Sequence, residues 1–259
     1  MTIGKPLIAM VLGLSSAGAL AQDEAPETPD ANEWRFNLGV GVGVAPEYRG
    51  ADTYEAIPIP VVEARLGRLF INPITGIGWQ VVKTEQLSIS PVISYERGRD
   101  DVGDISDLDE VDDSAMAGVL LSWTPGPWQF NTELAAPVGG DLDGVRLRSY
   151  LRFRGRLSPQ WSYGVGPGAT WASEDWNDAL FSVSDAGAAR SGLAAYDPDG
   201  AFLRASLNGR LTYHAARNWD VTSIARYSRL FGDAADSPIV EDVGDANQWF
   251  GSVIVTYRF

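Results

Sequence analysis

The chain has no cysteine and one histidine, His214. That removes disulfide frameworks, thiolate metal sites, cysteine nucleophiles and any His-rich metal centre. No run approaches the roughly 18 apolar residues of a membrane-spanning helix. Bases are scarce, 20 Lys and Arg against 34 Asp and Glu, for a net charge of -14 over 259 residues. This is the opposite of a nucleic-acid binder's basic footprint, so no nucleic-acid partner is expected. Glycine is abundant instead, with 28 residues, and Trp, Tyr and Phe contribute nine each.

The first 21 residues read as an export signal. Lys5 supplies a positive start, Leu7 to Leu14 a short apolar stretch, and Ala19-Leu20-Ala21 a small-x-small cleavage site. Residues 22–33 hold five acids, two prolines and no aromatic residue. They bury too little surface to order themselves and are expected to form an acidic periplasmic tail. The folded domain is then 34–259.

From Trp34 a period of two sets in, which places alternate side chains on opposite faces of a strand. Trp34, Phe36, Leu38, Val40, Val42 and Val44 alternate with Arg35, Asn37, Gly39, Gly41 and Gly43. Val145, Leu147, Leu151, Phe153 and Leu157 oppose Arg146, Arg148, Arg152, Arg154 and Arg156. Near the end, Trp249, Gly251, Val253, Val255, Tyr257 and Phe259 oppose Gln248, Ser252, Thr256 and Arg258, interrupted by Phe250 and Ile254. Such segments are longer than usual sandwich strands. Short connections such as 84–86, 125–127, 158–160 and 216–218 alternate with long acidic ones at 98–112, 174–199 and 232–246, the rhythm of an outer-membrane barrel. The expected fold is all-β, a closed antiparallel transmembrane β-barrel. Its strands are read at 34–45, 55–66, 68–73, 76–83, 87–97, 113–124, 128–137, 144–157, 161–173, 200–215, 219–231 and 247–259. That is twelve, or ten if the short third and fourth are absent. Trp34, Trp123, Trp128, Trp161, Trp219, Tyr257 and Phe259 fall near the periplasmic turns, where amphipathic rings favour the headgroup region. Tyr95, Trp171, Phe231 and Trp249 form a less regular upper set.

This phase decides what the lumen holds. Charges facing lipid near the midplane cost about 2 to 4 kcal/mol each, so Arg146, Arg148, Arg152, Arg154 and Arg156 must point inward. Arg204 and Arg210 add to them, Glu133 is an inward acid beside them, and Gly164, Gly166 and Gly168 on the next strand leave room for guanidinium groups. Two readings follow: an anion-attracting pore lined by arginine, or a packed interior in which the arginines pair with Glu133 and other acids. The acids otherwise crowd the long loops without matching a Ca²⁺-loop spacing, so no metal and no cofactor is expected. His214 faces the lumen at its periplasmic end beside Thr212 and Arg210, which supply no nucleophile, base and orienting acid together. Catalysis is therefore not expected.

Several stretches resemble a known family. Gly39 to Gly50 (GVGVGVAPEYRG), Ile57-Pro58-Ile59-Pro60 and Tyr95-Glu96-Arg97-Gly98-Arg99 are similar to the N-terminal half of the MipA/OmpV family. Phe181 to Ser184, Ser191 to Tyr196 and Leu230 to Val240 are similar to its C-terminal half. The resemblance implies a Gram-negative outer-membrane barrel, in contact with lipid and lipopolysaccharide, whose namesake is a scaffold joining a lytic transglycosylase to a peptidoglycan synthase. Other members are regarded as general cell-envelope proteins. The alternating Val253, Val255, Tyr257 and Phe259 resemble the signal read by the barrel assembly machinery. Three functions stay open at this point: scaffold or envelope-integrity component, small-solute channel, and surface receptor or adhesin.

Overall fold

A computed structural model describes residues 33–259; the expected export signal and all but the last residue of the expected tail lie outside the described residues. The strands are β1 (Arg35–Pro46), β2 (Tyr54–Leu66), β3 (Leu69–Asn72), β4 (Gly76–Trp79), β5 (Val82–Lys83), β6 (Leu87–Glu96), β7 (Ser114–Trp123), β8 (Trp128–Gly139), β9 (Arg146–Ser158), β10 (Trp161–Ala172), β11 (Phe202–Ala216), β12 (Trp219–Phe231) and β13 (Asn247–Arg258). They form one antiparallel sheet in chain order, and β1 pairs with β13 from Asn37↔Arg258 to Val44↔Gly251. β4 meets β6 at Ile77↔Ile93 and Gly78↔Val92, so the sheet closes on itself. The segment expected as one strand over 76–83 is broken: at Gln80 the backbone N–H donates to the Arg68 carbonyl at 3.0 Å. β4 and β5 are the two pieces of that stave, and thirteen segments make a twelve-stranded barrel.

The distribution of side chains is inside out. Val40 is 67% exposed while Arg146 is 1% exposed, an arrangement favourable only where the outside is hydrocarbon. Trp34, Trp123, Trp128, Trp161 and Trp219 all stand exposed at the end that carries the short turns. Two of these rings meet tyrosines of neighbouring strands, Trp161 with Tyr213 and Trp219 with Tyr257, each at 4.9 Å between centroids. Inward glycines let strands approach closely. A Cβ at Gly41 would come within 2.4 Å of the Val253 carbonyl oxygen and 2.7 Å of Ile254 Cγ1.

Two of the three long connections, 174–199 and 232–246, are partly helical. They carry α1 (Glu174–Phe181), α2 (Asp185–Ser191), α3 (Asp233–Asp236) and α4 (Pro238–Glu241). Ser184 accepts from the Gly187 N–H at the start of α2, and Ser237 from the Ile239 N–H at the start of α4, where Pro238 follows, the usual chemistry of helix starts. Trp176, Leu180 and Phe181 of α1, with Ala234 and Val240, pack on Met116, Ala135, Phe202 and Leu230 at the upper ends of the strands. A second cluster, which includes Tyr48, Ile105, Leu108, Val183 and Ile239, ties the loops to one another. The long-loop end of the barrel is covered by a folded cap.

Candidate functional site

Beneath the cap the lumen is built from alternate residues of every stave. On β9, Arg146, Arg148 and Arg152 are buried. Glu133 of β8 is the cross-strand partner of Arg148. Its carboxylate accepts from Arg146 at 2.9 Å and Arg148 at 2.6 Å, and from the Ser94 hydroxyl at 3.2 Å. Glu96, at the top of β6, bridges Arg146 and Arg49, the latter at 2.7 Å. Three guanidinium groups thus share two carboxylates in a site where an uncompensated charge is costly. Arg148 also donates to the Ile74 carbonyl at 3.2 Å, fastening the β3–β4 turn inside the barrel.

The remaining arginines are differently placed. Among the described residues, Arg152, Arg154, Arg204, Arg210 and Arg226 have no carboxylate in ion-pair range; Arg204 and Arg210 donate instead to Thr170 and to Thr212 and Thr222. Arg226, which the sequence reading did not single out, lies 5.2 Å from the Phe250 ring centroid. Its Nε is buried without a partner. Arg156 is exposed at the periplasmic mouth. The glycines of β10 do make room: a Cβ at Gly164 would meet Arg152 Cδ at 2.6 Å. Opposite the arginines, Ile57, Ile59, Val61, Ile224, Phe250 and Ile254 make an apolar wall. Phe250 and Ile254 interrupt the polar face of β13 because they belong to that wall.

His214 has partners that the sequence reading missed. Its Nε2 lies 3.0 Å from Ser162 Oγ, its Nδ1 2.7 Å from Asp220 Oδ1, and Asp220 Oδ2 accepts from Arg258 at 3.0 Å. Four successive strands, β10 to β13, bring the four together; only the register, which pairs His214 with Asp220 and Ser162 with Thr212, reveals them. The order Ser, His, Asp is that of a hydrolase triad. Ser162 stands in the sheet between Arg156 of β9 and Thr212 of β11, with a register irregularity between Trp161 and Ser162 on the β9 side.

The cap carries its own polar clasps. Arg99 is 6% exposed and donates to the Leu180 carbonyl at the end of α1 and to the Asp109 carbonyl, a cation at a helix C-terminus. Tyr48 donates to the Val243 carbonyl at 3.3 Å. Burial first, then Asp52, Asp104 and Glu47, push its phenol up to about 12.

A twelve-stranded barrel with a lipid-facing apolar surface, a charged lumen and a capped mouth defines an outer-membrane protein. Residues 38–259 match the family described as MltA-interacting protein MipA, and the chain belongs to that family. It is 30% identical over 241 residues, 88% of this chain and 91% of the relative, to the MltA-interacting protein of Escherichia coli K12. Over 92 residues, 36% of this chain and 34% of the relative, it is 36% identical to outer membrane protein OmpV of Vibrio cholerae. Among solved structures it is similar to the NanC porin, with a TM-score of 0.46 and 9% identity over 86% of this chain and all of that one.

Proposed function

We propose that this chain is a non-enzymatic, non-conducting barrel that holds murein-processing enzymes at the outer membrane from its periplasmic side. The observation that carries the reading is the capped mouth: α1, α3 and α4 bury an apolar core across the upper strand ends, and the arginines beneath are partly tied up by Glu133 and Glu96. Such a barrel has its periplasmic turns and the acidic segment 22–33 to offer partners. A relative matching most of both chains is named for its interaction with MltA, which supports a lytic transglycosylase as partner; a peptidoglycan synthase alongside it rests on the family resemblance alone. Assembly through Val253, Val255, Tyr257 and Phe259 belongs to the same proposal; the first three face lipid, and the Phe259 N–H donates to the Phe36 carbonyl at 3.0 Å.

A second reading, an anion-preferring channel, is favoured by the arginines that have no carboxylate partner. Affinity capture from detergent extract with the tagged full chain, together with planar-bilayer recording, separates the two. Retention of a transglycosylase and silence in the bilayer are the expected results. Stable current steps without retention would replace the first reading by the second.

A further inference from the structure

The barrel wall is incomplete on one side. β2 pairs with β1 along its whole length, from Tyr54 to Arg65, but with β3 only at Ala64, Arg65 and Leu66. β3 and β4 are four residues each, so the hairpin they form stops part-way up. Above it, among the described residues, Ala56 to Glu63 of β2 have no strand on the side away from β1, and β6 above Ile93 has none on the side facing them. An open edge in hydrocarbon is costly because its backbone groups lack partners. Pro58 and Pro60 lessen that cost: proline has no N–H, and with β1 fully paired both nitrogens turn toward the gap, as edge-strand prolines do. They also leave a second strand little to bond to.

The gap has a frame. Its sill is the turn at Ile74, held inward by Arg148. Its lintel is Arg97, which reaches Glu55 at 3.6 Å and donates to the Glu47 carbonyl at 3.2 Å. Behind it lies a cavity lined by Ile57, Glu96 and Phe250 among others. Tyr95 lines that cavity together with Arg148, Arg204 and Arg226. The cavity is bordered by Ile57 of β2 and by Tyr95 and Glu96 of β6, the two margins of the gap, and reaches the lumen arginines. A second cavity continues it downward, sharing Ile74, Arg148, Arg226 and Phe250.

We propose that this window is a lateral portal through which a single-chain anionic amphiphile passes from the membrane into the lumen, its head on Arg204 and Arg226 and its chain along Ile57, Ile224 and Phe250. The cap closes the alternative route from outside. The chemistry of the cavity matches such a ligand at both ends: guanidinium groups without carboxylate partners suit a carboxylate or phosphate, and an apolar wall suits the chain. The inference stands apart from any partner in the periplasm and does not depend on one.

The test is binding of a fluorescent long-chain fatty acid to the full-length protein in a non-ionic detergent, with folding verified by heat-modifiable gel mobility. Saturable binding is expected, displaced by palmitate or by lysophosphatidate but not by hexadecanol. The first competitor winning assigns a carboxylate ligand and the second a phosphate. Arg204→Ala with Arg226→Ala should weaken binding about tenfold or more, while Arg156→Ala at the periplasmic mouth leaves it unchanged. A diazirine-bearing fatty acid in liposomes should cross-link within 54–62 and 93–97. Equal displacement by the alcohol, unchanged affinity in the folded double variant, or cross-links confined to other strands would overturn the portal.

Discussion

At the scale of single residues, Glu133 is the most constrained group in the lumen. It is 2% exposed and accepts from two arginines and a serine. Removing one member of a buried pair typically costs about 3 to 5 kcal/mol because the partner stays charged and unpaired. Glu133→Ala should therefore lower the unfolding midpoint in detergent by several degrees, and Glu133→Gln by less, since the amide oxygen still accepts. Equal stability of wild type and both variants would show that water reaches Arg146 and Arg148. The Ser162, His214, Asp220 and Arg258 chain invites a different check. On the non-enzymatic reading Ser162 should resist a fluorophosphonate probe, and Ser162→Ala should cost no more than about 1 kcal/mol, the net value of one hydrogen bond. Labelling of Ser162 that disappears in His214→Ala would contradict the non-enzymatic reading. Alternation gives the inward direction of the arginines and of Glu133. The partners of His214 were beyond its reach, because they come together through register across three strands.

At the scale of elements, the staves and the cap were legible to different degrees. Period two marks β1, β9 and β13 plainly because each has one face in lipid. It marks β3 to β5 poorly, since strands of two to four residues carry at most two side chains per face and Gln80 breaks the stave. The loop helices escape a periodicity search for a related reason: α2, α3 and α4 are at most seven residues long. Their caps, Ser184 before Asp185 and Ser237 before Pro238, are local signals that a search for period two does not weigh. What shows only in three dimensions is that Trp176 and Phe181 fill the mouth. If the cap seals it, Trp176→Ala with Phe181→Ala should convert a silent protein into one that gives current steps in planar bilayers. The double variant should also lose stability, since truncating a buried aromatic costs about 3 to 5 kcal/mol. A variant that is folded and still silent would place the seal lower, at the arginine and glutamate network.

At the scale of the whole molecule, charge is sorted by compartment. The lumen gathers arginine and the connecting loops gather acid, although the chain as a whole carries 34 acids and 20 bases. Composition reports only the sum; the alternation assigns the signs to places. Closure is the other global property, and it rests on β13, paired with β12 on one flank and β1 on the other. Deleting residues 247–258 should abolish the compact, heat-modifiable form on gels. A truncated chain that kept that form would mean β1 and β12 can join directly.

That seam has a consequence for manufacture. Until β13 docks, β1 and β12 are two raw margins, each able to template a stranger; once it docks, both margins vanish together and the strand's own two edges are taken up by its neighbours, while Val253 and Val255 stay on the lipid face. A finished molecule thus no longer offers at this seam the hydrogen-bonding edges that an unfinished one would.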